Sequence, residues 1–202
     1  RELAAAHPVA DEQDLAWLVA EEIAVRGARL LAPIFERTGG RAGRLSIQVS
    51  PALYRDAATM VAQAARFAAL APNLQVKLPV TTAGLVAIEE ATARGIHVNA
   101  TVNFTVPGAL AVAEVVERGL RRAAEAGIDP ASLRPVCTVM VGRLEDWLHA
   151  VAAKERLIPT PGTVEWSGIA VVKRADGLFR ERGYRTRLLA GAFRNHLPWS
   201  AL

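Results

Sequence analysis

Five short apolar runs, near residues 45–49, 74–80, 96–102, 135–141 and 187–193, alternate with stretches long enough for a helix, and this alternation restricts the fold more than any other feature. A strand, a helix and a further strand return the chain parallel to itself, so the pattern predicts parallel βα units. Helices are predicted at 11–24, where Leu15, Leu18, Val19 and Ile23 share a face, and at 26–37, stopping at Gly39-Gly40. Further helices are predicted near 55–70 after Ser50-Pro51, at 83–94 closed by Gly95, at 107–126, at 144–153 and at 163–182 closed by Gly183, with a loop over 157–162. An open doubly wound sheet and a (β/α)8 barrel both satisfy this order. No Gly-rich fingerprint follows a strand and no Walker-type loop occurs, which weighs against nucleotide-binding versions.

The second run, Leu74-Gln75-Val76-Lys77-Leu78-Pro79-Val80, carries one charge, Lys77. Burial disfavours an ammonium, so an amine in such a strand can be partly neutral near pH 7, and a neutral amine can attack a carbonyl to form a Schiff base. The alternative is a lysine that snorkels to the surface or pairs with a carboxylate.

Barrel interiors take alternate residues from each strand, and function sits at the C-terminal ends of the strands. On that parity Ser46, Gln48 and Ser50 share a face, as do Gln75 and Lys77, then His97, Asn99 and Thr101, and finally Val136, Thr138 and Met140. Polar side chains converging from four strands describe a site better than a dry core.

Composition narrows the partners. The 202 residues suffice for one large domain with a sizeable core, and no linker or low-complexity segment divides them. Charge breaks every apolar stretch, so no segment reads as a membrane span, and the first residues hold too short an apolar run for a secretory signal. Cys137 is the single cysteine, which excludes an internal disulfide and suits a reducing compartment such as the cytoplasm. It lies in an apolar strand, where packing is the expected role. The net charge is +4, nearly all of the basic side is arginine, and Lys77, Lys154 and Lys173 are the only lysines. The arginines are scattered along helices without interleaved aromatics, so neither nucleic acid nor a membrane is expected as partner. One or two arginines aimed at an anionic substrate fit this pattern better.

At the level of motifs the chain resembles the transaldolase family, within the superfamily that also holds the fructose-6-phosphate aldolases. Residues 76–88, VKLPVTTAGLVAI, resemble its Schiff-base lysine segment, and 95–101, GIHVNAT, are similar to its "GI-x-x-N-x-T" strand. Residues 141–147, VGRLEDW, are similar to its "VGR-x-x-DW" turn, and 191–195, GAFRN, to its "AS-F-R-N" segment. The four motifs occur in the family's order between about residues 25 and 195.

The resemblance implies a class α/β (β/α)8 TIM barrel with neither metal nor organic cofactor. Lys77 would attack a ketose carbonyl, and cleavage between C3 and C4 would leave a dihydroxyacetone unit bound as an enamine for transfer to an aldehyde. Thr101 would position the catalytic water, with Gln48 beside it. Asn99 would bond a substrate hydroxyl, Thr138 stands for a substrate-contacting serine, and Met140 lines the site. Arg143 and Arg194 would hold a sugar phosphate through their guanidinium forks. The expected partner is thus a small sugar or sugar phosphate, and homo-oligomerisation is compatible with it. The resemblance further implies that residues 1–202 form a single barrel domain lacking the first two strands and the last, where an acid/base aspartate would sit.

Three positions depart from the family pattern. Gln48 replaces a water-activating glutamate and cannot take a proton. The aldolase branch shares this Gln but has tyrosine at the place of Met140, and transaldolases have phenylalanine there. Ala192 replaces a phosphate-binding serine. These departures leave two further expectations open: an aldolase that releases the ketone unit, and a catalytically silent sugar-phosphate-binding member. Asp56, Glu89, Glu90, Glu145 and Asp146 are expected on helices as solvated or capping charges. His97 is expected at the end of its strand remote from the site, His196 could approach it, and no histidine pair has metal-ligand spacing. Trp17, Trp147, Trp166 and Trp199 are expected to anchor helices in the core.

Overall fold

The computed structural model describes residues 2–202. A short helix α1 (Glu2–Ala6) precedes α2 (Glu12–Arg37), which leads into β1 (Leu45–Gln48). There follow α3 (Ala57–Ala68), β2 (Leu74–Pro79), α4 (Thr82–Ala93), β3 (Val98–Asn103) and α5 (Val106–Glu125). The chain continues through β4 (Val136–Met140), α6 (Val141–Lys154), α7 (Thr163–Glu181), β5 (Arg187–Gly191) and α8 (Leu197–Ala201). All five predicted strands are present.

The strands form one parallel sheet in the order β1-β2-β3-β4-β5. A doubly wound sheet must reverse its strand order at a switch point, and this sheet never does. Crossovers of one hand, advancing in one direction, set the helices on a single face. The architecture is therefore α/β with a five-stranded parallel arc, consistent with part of a (β/α)8 barrel.

The sheet's helix-facing side chains build the core. Ile47, Leu74, Val76, Leu78, Val98, Ala100 and Cys137 pack with Met60, Phe67, Ile88, Val112 and Leu120 from the helices. Full burial of each large side chain contributes about 1.5–3 kcal/mol. Burial also pushes the Cys137 thiol up to about 12, in keeping with a packing role.

Polar caps start the helices at the strands' C-terminal ends. Asp56, Thr81 and Thr105 accept from the backbone N–H of Thr59, Gly84 and Gly108 at 3.0, 2.9 and 3.1 Å, satisfying donors that a helix start leaves open. Two helix boundaries differ from expectation. The helices expected at 11–24 and 26–37 are one, α2, started by an Asp11–Asp14 capping box. It runs unbroken through Gly27, whose missing side chain leaves room for Leu45: a Cβ there would stand 2.9 Å from Leu45 Cδ2. The helix expected from residue 144 begins directly after β4, at Val141.

The tryptophans correct another expectation. Trp17 does pack inward, its ring 5.9 Å from that of Phe67. Trp147, Trp166 and Trp199 are 68%, 46% and 75% exposed, because they fall on the outward faces of α6, α7 and α8. Glu89 and Glu90 are not merely solvated either: they bridge α4 to Arg118 and Arg122 on α5 at 2.7 and 2.6 Å. Among the described residues no helix is long and apolar enough to cross a membrane.

Candidate active site

The face of the sheet opposite the helices is polar. Lys77 lies in β2, with Gln48 of β1 and Asn99 of β3 as its register partners on either side. Every other residue of β2 is buried, and Lys77 alone is half-buried. The strand is thus as apolar as its sequence suggests, yet the amine is not sealed in the interior. Among the described residues its side chain has neither an ion pair nor a hydrogen bond.

Beside the lysine a hydroxyl–amide chain crosses the sheet. Asn99 Nδ2 donates to Ser46 Oγ at 3.1 Å, and Thr138 Oγ1 donates to Asn99 Oδ1 at 2.7 Å. Ser46 and Asn99 lie on strands separated by β2, about 9.6 Å apart at ordinary sheet spacing. Contact between two such short side chains requires the polar face to be concave, as the inside of a barrel arc must be. Asn99 and Thr138 are both 5% exposed, whereas Ser46 and Gln48 are exposed on the edge strand β1.

Thr101, 2% exposed, aligns with Pro79 and approaches Met140 Sδ with its hydroxyl at 3.9 Å. Just beyond it the β3–β4 register shifts between Ala100 and Asn103, and Val102 adopts φ +59°. A β-branched residue rarely tolerates that conformation, and such irregularities re-aim the side chains around them. Val102 is thereby exposed beside Met140, while Asn103 is buried toward the helices and donates to Cys137 Sγ at 3.5 Å. No sequence signal marks this shift.

Arg143 and Arg194 meet at one carboxylate, Asp146. Arg194 grips it with both edges of its fork, Nε to Oδ1 at 2.9 Å and Nη2 to Oδ2 at 2.6 Å. Arg143 Nη1 stands 3.7 Å from the same Oδ2. The Arg194 bond holds the Asp146 carboxyl below its ordinary range and raises the Arg194 guanidinium. Next to this pair, Asn195 Nδ2 donates to Glu145 Oε2 at 3.1 Å. Asp146 and Glu145 were expected as solvated charges; instead they hold the segment after β5 against α6. Met140, Arg143 and Asp146 line a groove of about 660 Å³ with Val102, Phe104 and Trp147.

Among the described residues no histidine side chain donates or accepts a hydrogen bond in this cluster, although His149 stands near enough to Asp146 to help lower its carboxyl. His97 precedes β3 at the strand's N-terminal end, where its Nδ1 accepts from the Arg134 N–H at 3.3 Å. Burial, then Arg44 and Arg134, lower it to about 4. His196 is exposed at the start of α8. None of the five strands carries a carboxylate. Among the described residues no three His, Cys, Asp or Glu side chains are grouped to hold a metal ion.

Comparison with known proteins bears on the whole of this arrangement. The family described as Transaldolase/Fructose-6-phosphate aldolase matches residues 4–201. The chain is 40% identical to Transaldolase 1 of Streptomyces avermitilis over 129 residues, 63% of this chain and 34% of that one. It is 39% identical to the transaldolase of Thermobifida fusca over 120 residues, 58% of this chain and 33% of that one. To the transaldolase of Thiobacillus denitrificans it is 36% identical over 181 residues, 85% of this chain and 50% of that one. The chain therefore spans between about a third and a half of the length of these curated relatives.

Proposed function

The chain belongs to the transaldolase/fructose-6-phosphate aldolase family, and on that footing we propose that it carries the nucleophile of a Schiff-base transferase acting on a ketose or ketose phosphate. The observation that carries this reading is an amine without a counter-ion: Lys77, half-buried on a concave polar face. A lysine kept for structure at such a place would be expected to find a carboxylate, and no strand offers one.

In the proposed reaction the Lys77 nitrogen adds to the ketose carbonyl, and the carbinolamine loses water to give an imine. The imine draws the electron pair of the C3–C4 bond as the C4 hydroxyl gives up its proton, so an aldehyde departs and a dihydroxyacetone enamine stays on Lys77. The enamine carbon then attacks an acceptor aldehyde, and water hydrolyses the resulting imine. Thr101 would position that water. Gln48 can orient it through its amide but cannot accept a proton. Asn99, its amide fixed by Ser46 and Thr138, would bond a substrate hydroxyl. Met140 would line the site, and Arg143 and Arg194 would receive the anionic end of a phosphorylated sugar. Because no strand here carries an acid, we place the group that takes the C4 proton on further strands beside the open edges β1 and β5.

Gln48 favours one second reading, an aldolase that releases dihydroxyacetone to water. The experiment that divides the two supplies fructose 6-phosphate with and without erythrose 4-phosphate. Product formation that requires the acceptor supports the transferase, and free dihydroxyacetone without it supports the aldolase. Absence of a borohydride-trapped adduct on Lys77 with fructose 6-phosphate removes both.

A further inference from the structure

Arg194 stands on the segment following β5 and Arg143 in the first turn of α6, so nothing in local chain geometry fixes one guanidinium relative to the other. Their common contact does. Asp146 takes the Nε and Nη2 edge of Arg194 in a two-point fork, while Arg194 Nη1 donates to the Ala192 carbonyl at 2.9 Å. Two anchors on opposite sides of a planar group remove its rotational freedom. Nη1 also reaches the Phe193 carbonyl at 3.4 Å, and one N–H on Nη2 is left without a partner among these contacts. Arg143 is 60% exposed along its side chain and only 3.7 Å from Asp146, so the carboxylate draws it toward the fork without consuming its donors.

The backbone around the fork is specialised for this docking. Ala192 adopts φ +62°, a conformation that costs a non-glycine residue energy and therefore needs compensation nearby. Gly142 packs against the Ala192 carbonyl so closely that any side chain there would overlap it. The Glu145–Asn195 bond adds a second tie one residue along on each segment. Three contacts thus seat the segment after β5 on α6, and that seating brings both arginines to one carboxylate.

We infer that Asp146 is a positioning residue that pre-orients Arg194 and Arg143 as a two-pronged receptor for a phosphate dianion. The inference rests on the proposed ketose-phosphate reading for its biological ligand, but the receptor itself is testable without turnover. Asp146 does not touch the ligand; it lowers the ordering cost that two free arginine side chains would otherwise meet on binding.

The test uses inorganic phosphate and fructose 6-phosphate with the native protein and its Asp146→Asn, Asp146→Glu and Lys77→Ala variants. Calorimetry should show phosphate binding about tenfold weaker in Asp146→Asn, largely restored in Asp146→Glu, and unchanged in Lys77→Ala. In steady-state assays Asp146→Asn should raise KM for fructose 6-phosphate about tenfold with kcat nearly unchanged, and should leave KM for unphosphorylated fructose where it was. Phosphate binding that is undiminished or tighter in Asp146→Asn overturns the inference, since Asp146 would then be a competitor of the ligand. A wild-type protein that binds no phosphate overturns it too. Phosphate binding that depends on Asp146 in a protein that gives no borohydride-trapped adduct on Lys77 would sink the Schiff-base reading and leave this one standing.

Discussion

The hydroxyl of Thr138 on β4 donates to the Asn99 side-chain carbonyl on β3 at 2.7 Å, and the Asn99 amide in turn donates to Ser46. Both Thr138 and Asn99 are buried, so the bond has no water to replace it. Replacing Thr138 by Val keeps the shape and removes the donor. The Asn99 carbonyl is then left unpartnered, at a cost of about 1–3 kcal/mol. Thr138→Ser keeps the hydroxyl and should recover most of the loss. Denaturant unfolding of the two variants checks this, and equal stabilities would mean that the chain does not fix Asn99.

Helices α4 and α5 touch through Gly119. A Cβ there would stand 2.7 Å from both the Glu89 carbonyl and Thr92 Cβ. Helix propensity alone predicts that Ala improves either helical glycine by about 0.5–1 kcal/mol. At Gly119 the clash should win, and Gly119→Ala should destabilise by about 1–3 kcal/mol. Gly177 in α7 has nothing within 4 Å of its would-be Cβ, so Gly177→Ala should stabilise by about 0.5–1 kcal/mol. Thermal unfolding of the pair should therefore shift in opposite directions.

His97 makes stability depend on acid. Burial and the nearby Arg44 and Arg134 lower its pKa from 6.5 to about 4. Between those values the unfolded chain binds a proton that the folded chain refuses, so stability is full above 6.5 and falls as the pH drops toward 4. Asn at this position can still accept from the Arg134 N–H but cannot titrate. His97→Asn should therefore flatten the slope of unfolding free energy between pH 6.5 and about 5, above the range of the carboxylates. An unaltered slope would show that other groups carry it.

The strands and the polar face were legible because strand parity is a local, period-two signal. Ser46, Gln48, Lys77, Asn99, Thr101 and Thr138 announced themselves by interrupting apolar runs at alternate positions. Parity alone does not give strand order; the four motifs implied the barrel, and the observed pairing agrees with an arc of one. Nor does it give the Arg194–Asp146 fork, whose members are 48 residues apart and look like ordinary surface charges in their own segments. The same holds for the break expected between residues 24 and 26, which the continuous helix α2 does not contain. At the fork a partner from another element decided the outcome over the local preference.

The central claim is that a covalent bond forms between the Lys77 amine and a ketose carbon. Borohydride added to the protein with fructose 6-phosphate, followed by peptide mass mapping, measures this directly. The account predicts a sugar-derived mass on the peptide that contains Lys77, absent without the ketose and absent in Lys77→Ala. Labelling that falls on Lys154 or Lys173, or no labelling with any ketose while the protein stays folded, would contradict it.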